Sequence, residues 1–134
     1  MFYEYTLDVP AGTEKDEPYE LEALVEAGTL TYAEVDFAAG CHRLVNVVIV
    51  EGAFQLFPRN PEEAMKADKY VIPIRTSYKL KKGHNLLKLR AWSPDTIYDH
   101  KIIVRLTVEP EEEDKSISLL SDMVSILKKI IGVE

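Results

Sequence analysis

The chain has 134 residues, of which 46% are hydrophobic and 29% charged, and a formal net charge of −7. That composition excludes a disordered chain, and the length suits one domain plus an appendage. Its single cysteine, Cys41, excludes an intrachain disulfide framework and points to a reducing or redox-indifferent compartment, while no run reaches the roughly 18 apolar residues of a membrane span.

The first residues alternate. Tyr3, Tyr5, Leu7 and Val9 fall on one face, and Glu4, Thr6 and Asp8 on the other. This is the period of a half-buried strand, and without a basic leading segment it does not read as a secretion signal. Pro10 to Pro18 is a charged turn-rich loop. Tyr19, Leu21, Ala23 and Val25 mark a second strand, and Thr29 to Phe37 a third. The apolar phase of the third slips between Leu30/Tyr32 and Val35/Phe37, which predicts a bulge near Ala33. Leu44 to Val50 is apolar except for Asn46, the pattern of a strand covered on both faces. Ala53 to Phe57 follows a Glu51-Gly52 turn. Asn60-Pro61-Glu62-Glu63 carries a helix cap, a proline at the first helical position and a glutamate in the first turn, so a short helical turn through Met65 and Ala67 is expected. Tyr70 to Thr76 resumes as a strand that continues to Leu80. Pro73 lacks an amide donor and assigns it to an edge or a bulge.

The clearest stretch is Tyr78 to Val108. Strands over His84–Trp92 and Ile97–Val108, joined by Ser93-Pro94-Asp95, read as a hairpin. In the second of these, His100, Ile102, Val104, Leu106 and Val108 share a face, opposite Lys101, Ile103, Arg105 and Thr107. About eight strands with turns every 8–12 residues and no helix between them predict an all-β fold, an antiparallel β-sandwich or jelly roll, over residues 1–108.

Beyond Val108 the composition changes. Residues 109–115 form an acidic, proline-stiffened linker. Residues 116–132 read as one amphipathic helix ended by Gly132. Ile117, Leu120, Val124, Leu127 and Ile131 follow the 3-4 spacing of a coiled-coil seam, and Leu119, Met123, Ile126 and Ile130 form a second row. Sixteen residues of helix span only about 24 Å, too short to cross a bilayer. Nine large apolar side chains on so short a helix need cover. It can fold back on its own sandwich, or lie in a membrane interface, for which two lysines are few, but the charged spacer favours docking on other copies or another protein, and the wide apolar arc favours three helices over two.

The charges are unevenly spread. Residues 1–70 hold 14 acids against 5 Lys or Arg, and residues 71–108 hold 2 against 8. Such a dipole can pair neighbouring copies, but strands of both regions intermixed in one sandwich would cancel it, and that is the expectation. The basic strip of Lys79, Lys81, Lys82, Lys88, Arg90, Lys101 and Arg105 is then a solvated sheet face and not a nucleic-acid site.

Residues with chemistry to offer are few. His42, His84 and His100 have no companion at metal-ligand spacing, so no metal or other cofactor is expected. Cys41 has no paired histidine in a recognisable motif and reads as a turn-filling residue. No nucleophile elbow, phosphate loop or zinc-protease motif is present, so no catalytic residue is assigned and no enzyme is expected. Trp92 and Tyr98 flank the 93–97 turn. Exposed, they would stack on sugar rings or anchor an interface. The preferred expectation is that they are buried and close the end of the sandwich.

The segments DVPAGT (8–13), GTLTYAEVDFAAGC (28–41), PRNP (58–61) and YKLKKGHNLLKLRAWSPDTIYDH (78–100) resemble those of small β-sandwich proteins encoded among the virion structural genes of tailed phages and related archaeal viruses. These are turn and strand markers. The resemblance implies a jelly-roll-like, virion-associated or capsid-decorating protein, located in the virion or the host cytoplasm, with a capsid or other virion protein as partner. The helix lies outside it. Together these readings describe a non-enzymatic, self-associating structural protein, with a carbohydrate-binding sandwich as the alternative.

Overall fold

A computed structural model describes residues 1–81, 83–110 and the isolated positions 123, 124 and 126. Among these residues the chain forms eight strands: β1 (Phe2–Val9), β2 (Tyr19–Glu26), β3 (Thr29–Phe37), β4 (Asn46–Glu51), β5 (Phe54–Phe57), β6 (Tyr70–Lys79), β7 (His84–Trp92) and β8 (His100–Glu109). They make two four-stranded sheets, ordered β1-β8-β3-β6 and β2-β7-β4-β5, and all pairings are antiparallel.

The pairing is nested. β4 pairs with β5, β3 with β6, β2 with β7 and β1 with β8. The chain therefore doubles back on itself about the turn at Gly52. The resulting ribbon then wraps, so that β8 meets β3 in one sheet and β7 meets β4 in the other. The inward residues predicted from period-2 alternation form the core. Leu7, Val9, Val25, Val35, Leu87, Ile102, Val104 and Leu106 are fully buried, as are Ile49 and Leu56.

The hairpin expected over Tyr78–Val108 does not form. β7 and β8 lie in different sheets, and the 93–99 connection crosses between them. Alternation tells which side chains face the core, but strands facing each other across a core alternate just as paired strands do. The link is fastened to the β1–β2 loop instead: Ser93 N donates to Thr13 O at 2.9 Å, Gly12 N to Thr96 Oγ1 at 3.2 Å and Ala11 N to Asp99 at 2.8 Å. The last strand accordingly begins at His100 and not at Ile97.

Two local expectations also shift. The β3 bulge falls between Leu30 and Tyr32, two residues before Ala33. The capped sequence at Asn60 makes a single turn, Glu63 N to Asn60 O at 3.1 Å, and no helix follows. Met65 instead exchanges two backbone hydrogen bonds of 2.9 Å with Val47. β5 has only four residues, so the N-terminal part of β4 has an open edge, and pairing its amides outweighs one turn of costly helix nucleus. Pro73 is where its missing donor requires, on the edge strand β6.

The charge split cancels in space, as expected. On the outer face of the first sheet, Arg105 of β8 lies between Glu4 of β1 at 2.9 Å and Glu34 and Asp36 of β3 at 3.2 and 3.4 Å. On the second sheet, Glu20 of β2 takes Lys88 at 3.2 Å and Arg90 at 2.9 Å, both from β7. Of the basic strip, Lys79, Lys101 and Arg105 thus belong to the first sheet and Lys88 and Arg90 to the second. Arg105→Met should leave three neighbouring carboxylates without their cation. The variant is expected to melt lower than the parent at low ionic strength, with the gap narrowing as added salt screens the cluster. Melting curves at low and high salt check this, and a gap that widens with salt would contradict it.

Candidate functional site

The predicted docking row lies largely outside the described residues, as do Ile117, Leu119, Leu120, Leu127, Ile130 and Ile131. Met123, Val124 and Ile126 are helical, with exposures of 59%, 49% and 57%.

The two aromatics of the 93–97 turn separate. Tyr98 is 71% exposed, beside Ile97 at 80%, so it does not close the end of the sandwich. Trp92 is half-buried, with the Lys15 ammonium 5.6 Å from its ring centroid. It lines a groove on the second sheet.

That groove follows from the apolar β4. Val47 and Ile49 face the core, so Val48 and Val50 face outward, yet they are only 4% and 5% exposed. The strand is covered on both faces, as its apolar run indicates, and loop residues together with side chains of β5 and β7 line the outer one. Two adjoining depressions of about 180 and 250 Å³ lie over these valines and share Val50, Gln55, Pro61 and Arg90. Lys15, Pro18, Glu62, Glu63 and Trp92 line the first; Phe54 and Arg59 line the second. The Arg59 guanidinium lies 5.3 Å from the Phe54 ring centroid. Gln55 anchors the wall, its amide nitrogen directed at the carbonyls of Pro58, Asn60 and Glu63 at 2.7, 3.1 and 3.1 Å. Burial would raise the Glu20 carboxyl at the groove's flank, but the hydrogen bonds from Arg90 and Lys88 outweigh it and hold the group below its usual range.

One contact escaped the sequence. Cys41 Sγ lies 3.9 Å from His100 Nδ1, across 59 residues. It does not make an activated thiol. Cys41 is fully buried, and burial first, then the Asp68 carboxylate, pushes the thiol up, away from the thiolate that nucleophilic chemistry needs. No group of three or more His, Cys, Asp or Glu side chains able to hold a metal occurs among the described residues. No helix among them is long and apolar enough to cross a membrane.

Asp68 has a structural task. His42 and Arg43 adopt positive φ of 49° and 60°, and the carboxylate holds this turn through the backbone amides of His42 and Gly40, the latter at 2.9 Å. Those amides hold the Asp68 carboxyl below its usual range. A folded-state pKa below the unfolded one contributes stability above the unfolded value, about 4, and loses it as pH falls through the folded value. Asp68→Asn is therefore expected to lower the melting temperature at pH 7 and to flatten its decline below about pH 4. Unchanged acid dependence would remove Asp68 from this role.

No known protein-family profile matches the chain, and no curated protein matches it. Among solved structures, one described as IMPa metallopeptidase in complex with T-antigen is similar at 10% identity with a TM-score of 0.31. The match covers 84% of this chain, which spans only 13% of that protein's length.

Proposed function

We propose that this chain is a non-enzymatic structural protein, a jelly roll that associates with copies of itself through its C-terminal segment and serves in a virion, as capsid decoration or a similar assembly part. The nested ribbon supports the jelly-roll reading, since β1-β8-β3-β6 against β2-β7-β4-β5 is the order two interlocked Greek keys produce. The phage-like segments fall on the start of the β1–β2 loop, on β3 and its following turn, on the 58–61 loop and around β7, so the resemblance follows the framework of this fold.

The observation that carries self-association is the exposure of Met123, Val124 and Ile126 at 59%, 49% and 57% in the single chain. Three apolar residues exposed in the single chain support a segment that associates with other copies. With the seam residues Ile117, Leu120, Leu127 and Ile131, a trimer is the favoured assembly.

Light scattering coupled to size exclusion tests this. The full-length protein is expected to run as a trimer. Leu120→Asp combined with Leu127→Asp should run as a monomer with an unchanged β-type circular dichroism spectrum. A parent chain that is monomeric at high micromolar concentration would refute self-association. Co-sedimentation with a capsid protein then addresses the virion role.

A further inference from the structure

We propose that the groove over β4 is a binding site for a neutral oligosaccharide, with one sugar ring stacked on Trp92. This goes beyond the assembly role and rests on different residues.

The lining selects the ligand. Its floor is aliphatic: Val48 and Val50 are nearly closed to water but border open depressions. Trp92 supplies an aromatic face, held half-open at the end of β7. A pyranose ring is amphipathic in the same sense, with C–H groups on its faces and hydroxyls around its rim. Its face can cover Trp92 and the valines while the rim meets the groove's polar edge.

That edge has mixed charge. Glu62 and Glu63 oppose Lys15 and Arg90 around the first depression, and Arg59 joins Arg90 in the second. A polyanion would meet two carboxylates, and a polycation three basic groups. A hydroxyl donates to a carboxylate and accepts from a guanidinium, so a neutral polyol satisfies both. Arg90 spends its Nε on Glu20 at 2.9 Å and still carries other N–H donors. The walls are prepared in advance, with Pro18 and Pro61 having little freedom to lose and Gln55 fastening the 58–63 loop. The two depressions abut, so the site suits a chain of sugars and not a single ring.

Lys15 provides the discriminating feature. Its ammonium lies over the Trp92 ring, and a sugar stacking on that face must displace it. For a neutral ligand, Lys15→Ala should leave affinity within about twofold or tighten it; for an anionic ligand it should weaken binding.

Trp92 is the sole tryptophan, so its emission reports on the site directly. Full-length protein is titrated with cello-, xylo-, malto-, laminari- and chitohexaose, and with a heparin hexasaccharide and polyglutamate as charged probes. The expected result is a saturable emission change with at least one neutral hexaose. By calorimetry, Trp92→Phe should weaken that binding at least about tenfold, with its melting curve confirming a native fold. Val50→Lys, which fills the groove from a floor position only 5% exposed, should do the same, its melting curve likewise confirming a native fold. Absence of any response to the neutral sugars at millimolar concentration, binding of only the charged probes, or parental affinity in both variants would overturn the proposal.

Discussion

Phe37→Ala is expected to destabilise the sandwich by about 3–5 kcal/mol, through lost transfer energy and the cavity left behind. Phe37 is the largest of the fully buried side chains, 1% exposed. It sits at the end of β3, an inner strand of its sheet, in register with Tyr70 of β6 and Ile102 of β8. Strands on both sides fix the backbone there, so the site cannot collapse freely. Small domains are stable by only about 5–15 kcal/mol, so one substitution removes a large share. A fall in melting temperature of roughly 10–20 °C is the corresponding signal. Urea unfolding of the variant checks it, and a loss below about 1 kcal/mol would show that Phe37 does not hold the sheets together.

Gly28→Val should cost a comparable amount, about 3 kcal/mol or more, for a different reason. Gly28 turns the chain between β2 and β3 at φ 150°, a conformation L side chains rarely adopt. A β-carbon there would also run into the Glu109 carbonyl oxygen and the Val108 side chain at the end of β8. Gly40 separates the two causes. Its φ is also positive, 102°, but a β-carbon would meet nothing within 4 Å, so Gly40→Ala should show backbone strain alone, about 1–2 kcal/mol. If the two substitutions cost the same, the crowding at Glu109 has no energetic weight. The position bears on function because Glu109 is where the chain leaves β8 for the segment proposed to assemble. A side chain at Gly28 is expected to redirect that exit as well as weaken the fold, and light scattering on the surviving protein would register it.

The groove was only half legible in the sequence. The apolar run Val47-Val48-Ile49-Val50 announced a strand covered on both faces, and Trp92 stood out as an aromatic beside a turn. Nothing local could bring Lys15, Pro61 and Arg59 to that strand, because they belong to loops that return from other parts of the wrapped ribbon. The contact between Cys41 and His100 was hidden for the same reason: a spacing of 59 residues carries no periodic signal. Tyr98, paired with Trp92 by proximity in the chain, points elsewhere once the 93–99 link crosses between the sheets.

By itself the sequence determined where the strands lie, which side of each meets the core, and that Pro73 belongs at an edge or a bulge. These follow from period-2 alternation and from proline's missing donor, both properties of a strand taken alone. Only the tertiary structure decided which strand neighbours which. Whether β7 pairs with β8 or faces it across the core leaves the same alternation in both, so the pattern cannot distinguish them. The same folding placed basic β7 and β8 beside the acidic β1, β2 and β3, turning a charge split along the chain into ion pairs across each sheet.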